Sequence, residues 1–397
     1  MSFSGGGTRA AVFSYGVLSE LRNTQINSSA DNRTLLHEVD YISSVSGGSF
    51  TAAYYGLFGD RIFDDYETIF LRRNIQKTLI NSMFNPINWF RLLSARFDRG
   101  NLAVEYYDKQ IFQGKTFGDM TNRNGPFIQI NATDLGTGQP FWFTNDSFAL
   151  LCSDLYDFKV ASAVAASSAV PVVVPPITLK NYSGCRKTGQ SLIDSFGDST
   201  DDIRMQALQK SLSSFSNKDQ RKYIHLVDGG IADNLGIRSM FYRIQLLNKT
   251  SKKLKSIKTN VHKKPNTFVI IVVNAETNKI WPMEQSPDSP SSVQVISAVS
   301  AAQISRYNME TISQSKKLFN DVAKKYSSDE NEVNTYFIEL KFDDLPDLKM
   351  RNITNNMATS LSLPDDQVDM LYEAGRTLLR ESKDFQRLLQ NLRSVRQ

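Results

Sequence analysis

The sequence predicts an α/β fold, with a parallel or mixed sheet covered by helices on both faces. Three observations carry this. Residues 39–57 read as strand, tight turn and helix in immediate succession. Phe268–Asn274 is a continuous apolar run (FVIIVVN), as expected of a central parallel strand buried on both sides. Strand-like and helix-like segments alternate along most of the 397 residues.

In chain order, Ser4-Gly5-Gly6-Gly7 forms a turn, and residues 10–22 read as a helix with Ala11, Tyr15, Val17, Leu18 and Leu21 on an apolar stripe. Residues 23–33 are polar and loop-like. A strand over 39–45 leads into a helix over 47–57. Residues 60–120 are mostly helical. Within them, 78–97 carries many large apolar side chains, read as helices packed on the core, with a lid or interfacial surface as the alternative. Residues 127–132 form a strand, 134–138 a turn, and 140–143 open the next strand. A small-residue helix over 159–170 stops at Pro171. The strand 223–227 ends at Asp228, and 236–247 reads as a helix. Residues 249–264 hold seven lysines and no acid, which suits a solvated surface insertion; a lipid-headgroup patch is the alternative. Helices over 291–325 and 364–395 flank a last strand over 335–341. We expect a single domain over 1–397, with its core at about 1–280, a helical insertion at about 60–120 and a helical extension at about 290–397.

Composition excludes collagen-like, disordered and disulfide-scaffold classes. A net charge of +5 fits attraction to anionic surfaces but is too weak for nucleic acid, and no aromatic-basic motif supports such a partner. Cys152 and Cys185 match no zinc or redox spacing; one disulfide or two thiols are both open. The longest apolar stretch has the length of a strand, far short of the ~18 residues of a membrane span. Because almost no strand precedes the first glycine turn, we infer that residues upstream are missing, on which an export signal or anchor would lie; the compartment stays open.

Three stations carry the chemistry. Gly5-Gly6-Gly7 before a helix offers bare N–H groups and a positive helix end, as an oxyanion hole or phosphate cradle needs. It is neither a phosphate-binding P-loop nor a full dinucleotide fingerprint. Ser46, between a strand and a helix with Gly48 two residues on, fits a nucleophile elbow; Ser44 stands where the motif has its leading glycine. Asp228, closing a buried strand before Gly229-Gly230, is placed to face a pocket, at the strand edge where open α/β sheets bind ligands. The plainer reading is a turn-capping Asp, with Asp233 and Asn234 completing the turn. None of His37, His225 and His262 suits a triad: His225 and Asp228 point to opposite faces, His262 lies among the lysines, and His37 sits at the far end of the elbow strand. A Ser-Asp dyad needs no histidine.

Together, SGGGTRAA (Ser4–Ala11), SSVSGGS (Ser43–Ser49) and VDGGIADN (Val227–Asn234) resemble the patatin-like phospholipase family, in its bacterial branch. ASSAVPVVVPP (166–176) and NATDLGTGQP (131–140) resemble further segments of it, so the likeness runs from Ser4 to about Asn274. The resemblance implies a three-layer α/β/α fold with a mostly parallel sheet, and lipid acyl hydrolysis without metal or cofactor. It also implies Ser46 as nucleophile, Asp228 as base, Gly5, Gly6 and Gly7 as oxyanion hole, and Arg9 supporting that loop. The expected partner is a phospholipid or other acyl-ester substrate, with peripheral contact to a membrane surface. Two alternatives share the motifs: a carboxylesterase or thioesterase on soluble esters, and a catalytically silent lipid-binding protein.

Overall fold

A computed structural model of the chain describes residues 1–397 apart from 27–32, 86–87, 89–90, 93–96, 122–124, 171–173, 186–192, 195–201, 243–266, 328–332 and 395–397. Its strands are β1 (Ser2–Phe3), β2 (Tyr41–Val45), β3 (Phe127–Asp134), β4 (Gln139–Trp142), β5 (Ile177–Lys180), β6 (Tyr223–Asp228), β7 (Thr267–Asn274) and β8 (Asn334–Lys341). They form one eight-stranded sheet in the order β5-β6-β3-β2-β1-β7-β8, with β4 pairing β3. The pairs from β3 through β8 along this order are parallel, while β4, β5 and β6 join antiparallel. This is the mostly parallel, helix-covered sheet that the sequence predicts. β1 is only two residues long, yet it pairs on both sides, with Ser43 and Ser44 of β2 and with Val272 and Val273 of β7.

Helices α1 (Gly7–Asn23) and α2 (Gly47–Phe58) follow β1 and β2 directly. Both are buried along nearly their whole length, because other helices cover the side turned away from the sheet. Helices α3 (Ile75–Met83) and α4 (Arg99–Gln110) belong to the insertion, and α5 (Val160–Ser167) and α6 (Gly230–Asp233) flank the site. The C-terminal region supplies α7 (Ser292–Tyr326), α8 (Leu348–Asn355), α9 (Asp365–Glu381) and α10 (Lys383–Ser394). α9 lies against α1: a side chain at Gly16 would meet Tyr372 O, and one at Gly375 would meet Phe13 O. Val368, Leu371 and Leu379 of α9 join Phe13 and Val17 of α1 in the main core. No helix among the described residues is long and apolar enough to cross a membrane.

Some expectations change. The helix over 159–170 ends at Ser167, because Ser167 O and Ala169 O turn away to accept the N–H groups of Gly229 and Asp228. The helical stretch over 364–395 is made of two helices that meet at Ser382, whose extended backbone and Oγ start α10. The helix placed at Gly236 begins at residue 237, since Gly236 takes φ 67° as a turn. In the apolar stretch 78–97, Leu79 packs on the core whereas Ile80 and Phe84 face outward; much of 86–96, and all of the lysine-rich 249–264, lies outside the described residues. Cys152 and Cys185, left open by the sequence, form a disulfide.

Candidate active site

Ser46 stands between β2 and α2 at φ 49°, ψ −120°, a left-handed conformation that a non-glycine residue takes only when its surroundings enforce it. Here the enforcement is polar. Ser46 N–H donates to Ser167 Oγ at 2.8 Å, and Ser167 Oγ donates to Asn131 O at 2.6 Å. Beneath the elbow, Asn131 Nδ2 donates to Ser44 O and Ser43 Oγ, both at 2.8 Å. Ser44, standing for the motif's glycine, fits because its hydroxyl donates to Gln129 O at 3.2 Å. Gly47 and Gly48 admit no side chain: a Cβ on Gly47 would lie 1.9 Å from Gly7 O, and one on Gly48 2.7 Å from Ser4 O.

Asp228 reaches the same point by a route the strand-edge rule does not describe. β6 runs antiparallel to β3, with Asp228 opposite Ala132, while Val45 is opposite Asn131. Asp228 therefore lies one residue past Val45 along β3, level with Ser46, having entered from the opposite direction. Ser46 Oγ donates to Asp228 Oδ2 at 2.8 Å, and Gly230 N–H donates to Oδ1 at 2.8 Å. Thr133 Oγ1 donates to Asp228 O at 2.8 Å and fixes the strand end. Ser46 and Asp228 are both buried. Burial raises the Asp228 carboxyl from 3.8 to about 6, with the bonds from Gly230 and Ser46 pulling the other way. Gly229 lies against Asn131 O, so a side chain is excluded there too.

The glycine loop closes the site from the β1 side. A Cβ on Gly5 would come 3.3 Å from Ser46 Cβ, so the loop touches Ser46. Gly6 and Gly7 take φ 144° and 62°. Gly5 N–H is already engaged, donating to Asn234 O at 3.0 Å. Among the described residues, the N–H groups of Gly6 and Gly7 have no recorded acceptor, whereas Thr8 N–H donates to Ser360 O at 2.8 Å. Arg9, buried, donates from Nε to Ala275 O at 3.0 Å and from Nη1 to Met357 O at 2.7 Å. Its guanidinium lies under Gly6, and desolvation lowers its pKa to about 10.

The structure thus brings together all the site residues expected from sequence: Ser46, Asp228, Gly5, Gly6, Gly7, Arg9, Gly48, Gly229 and Gly230. Asp233 and Asn234 do work in the turn: Asp233 Oδ2 accepts Arg238 N–H, and Asn234 O accepts Gly5 N–H. His37 accepts from Thr34 N–H, and His225 bonds Thr178 at the exposed sheet edge; His262 lies outside the described residues. Sequence reasoning missed Ser167 and Asn131 as holders of the elbow, although both lie in segments that carried the resemblance. It also missed Met357 and Ser360, which contribute only backbone carbonyls and so leave no side-chain signal.

No curated protein matches this sequence. Among solved structures, the chain is similar to human GIVD cytosolic phospholipase A2, with a TM-score of 0.49 and 11% identity over 99% of this chain and 62% of that one. The chain thus spans less than two thirds of that protein, and the likeness is too slight to argue from. The family described as patatin-like phospholipase matches residues 1–241. Because that match covers more than half of the sequence, the chain belongs to the patatin-like phospholipase family.

Proposed function

We propose that this chain is a serine lipid acyl hydrolase of the phospholipase A or lysophospholipase type, working through a Ser46–Asp228 dyad. The observation that carries the reading is the 2.8 Å bond from Ser46 Oγ to Asp228 Oδ2, a buried carboxylate held near pKa 6. A carboxylate at that value is ionised at neutral pH and still basic enough to take a proton.

In the first half-reaction, Asp228 Oδ2 takes the Ser46 proton as Oγ bonds to the ester carbonyl carbon. The carbonyl oxygen becomes an oxyanion, held by the N–H groups of Gly6 and Gly7, since the Gly5 N–H is already committed to Asn234. The adduct collapses, the C–O bond to the alcohol breaks, and Asp228 returns the proton to the leaving oxygen. The acyl group is now on Ser46. In the second half, Asp228 takes a proton from water, whose oxygen attacks the acyl carbon; on collapse the C–Oγ bond breaks, Asp228 passes the proton to Ser46 Oγ, and the fatty acid is freed. Arg9 acts through the loop that it anchors.

Release of fatty acid from mixed phospholipid vesicles tests the reading. Ser46→Ala and Asp228→Asn, each folded, should lose roughly 10³-fold or more in kcat. A Ser46→Ala variant of normal activity would sink the dyad. Equal turnover of soluble esters and of aggregated phospholipid would point instead to a general carboxylesterase.

A further inference from the structure

Helix α7 changes character at Asn308. From there onward its buried positions include Asn308, Thr311, Ser315 and Phe319, a stripe at three- and four-residue spacing that packs on the sheet. From 292 to 307 no residue is buried. Val293, Val295, Ile296 and Val299 are 65%, 43%, 53% and 51% exposed. An exposed helix ordinarily carries charge, yet residues 289–305 hold no ionisable side chain. At ~100° per residue, the apolar side chains of this half spread around the whole circumference.

The register shows where this half points. Asn308 Nδ2 donates to Glu276 Oε2 at 2.7 Å, two residues past the end of β7. Phe319 packs with Ile270 and Val272 inside β7. α7 therefore runs antiparallel to β7, and residues 292–307 continue past the C-terminal edge of the sheet by up to ~24 Å. The glycine loop and the elbow open on that same edge, after β1 and β2. Arg238 Nε donates to Thr311 Oγ1 at 2.7 Å and ties the foot of this half to the segment following Asp228. In the loop after β7, at the same edge, Ile280 is 63% exposed, followed by Trp281 under the Lys279 ammonium.

We propose that the N-terminal half of α7, with Ile280 and Trp281 at its foot, seats the protein in a phospholipid surface, sinking to the headgroup–acyl boundary beside the catalytic edge. Two observations favour lipid over a protein partner. A protein covers one face of a helix and tolerates charge on the other, whereas residues 289–305 carry no charge on any side and Arg306 stands only at the foot, so the helix can sink to the headgroup level without burying a charge. It also stands on the edge at which the acyl ester must enter, so seating it brings the lipid to Ser46. The inference rests on the lipid-hydrolase reading for its purpose, but its test does not.

The full chain is sedimented with phosphatidylcholine vesicles, and hydrolysis of a short-chain ester below its aggregation limit is measured separately. Ile296→Glu/Val299→Glu should weaken vesicle binding roughly tenfold or more, since each carboxylate must stay in water. Vesicle hydrolysis should fall with it, while turnover of the soluble ester persists and so reports an intact fold. Ile296→Leu should bind as the wild type does, and Val293→Glu should repeat the loss from another side of the helix. Unchanged vesicle binding in both charged variants overturns the proposal. So does a lipid-free dimer of the wild type that the double variant converts to monomer, which would make this helix a contact between copies. If the wild type hydrolyses neither substrate, the enzymatic reading fails, and the binding arm still decides the seat.

Discussion

The elbow and the glycine loop meet at Ser46, but they are built from different parts of the chain. Everything that fixes Ser46 and Asp228 lies within residues 1–241, the part matched by the family: Ser167, Asn131, Thr133 and Gly230 supply the bonds. The glycine loop keeps one bond within that part, Gly5 N–H to Asn234 O, and otherwise hangs on the region beyond. Ser4 N–H donates to Val273 O, Ser4 Oγ accepts Ala275 N–H, Arg9 bonds Ala275 O and Met357 O, and Thr8 bonds Ser360 O. The proposed nucleophile and base are thus a local construction, whereas the proposed oxyanion loop is aimed mainly by backbone carbonyls from a region outside the family match. Such carbonyls constrain geometry without constraining which side chain sits there.

The largest effect should come from forcing the two constructions apart. Gly47→Ala puts a Cβ 1.9 Å from Gly7 O, where neither backbone can yield cheaply. We expect kcat to fall roughly 10²–10³-fold, with a loss of about 1–3 kcal/mol in stability. Kinetics and thermal unfolding of the same sample separate the two losses. Full activity would mean that the glycine loop does not hold the oxyanion. Arg9→Lys cuts only the tether to the C-terminal region. One ammonium cannot span Ala275 O and Met357 O as the planar fork does. kcat should fall roughly tenfold or more, with KM little changed. The pH dependence should stay put, because the base is held independently; a shifted acid limb would show that loop and base are coupled.

The same division explains what was legible in the sequence. The elbow and the Asp-Gly-Gly turn could be read because each is a short motif whose side chains do the work in place, and β7 could be read because burial on both faces leaves an unbroken apolar run. The direction of β6 could not: Asp228 ends a strand in either direction, and only pairing with Ala132 reveals that it comes in antiparallel. Met357 and Ser360 were invisible because they act through carbonyls. The break at Ser382 was hidden because α9 and α10 present one apolar periodicity across it. The disulfide could not be read from the spacing of Cys152 and Cys185, since chain folding alone decides whether they meet.

A smaller and graded effect tests the base. The Asp228 carboxyl is raised from 3.8 to about 6 by burial, so kcat/KM should rise about tenfold per pH unit below pH 6 and level above it. The sign for stability is opposite. Between 3.8 and about 6 the folded protein keeps a proton that the unfolded chain has lost, so stability falls as pH rises through that window and is level beyond it. Asp228→Asn removes the buried charge and should be more stable than wild type at pH 8 by about 1–3 kcal/mol, yet nearly inactive. A variant no more stable than wild type would mean that the carboxylate is better solvated than its burial implies.

Least affected should be the reaction when Cys152–Cys185 is opened. The bond closes a span of 33 residues and belongs to neither catalytic construction. Near it, Tyr182 N–H donates to Leu151 O, and Lys218 Nζ bonds Leu150 O and Asn181 Oδ1, so its surroundings are already tied together by polar contacts. Loop-closure entropy for such a span suggests a loss of roughly 4 kcal/mol in stability. Cys152→Ser/Cys185→Ser should therefore melt lower while keeping kcat within about twofold at 25 °C, since the bonds that hold Ser46 and Asp228 run through β3, α5 and the Asp-Gly-Gly turn instead. A large drop in kcat at a temperature where the variant is fully folded would place this surface loop in contact with the substrate and extend the local construction to the 150–185 region.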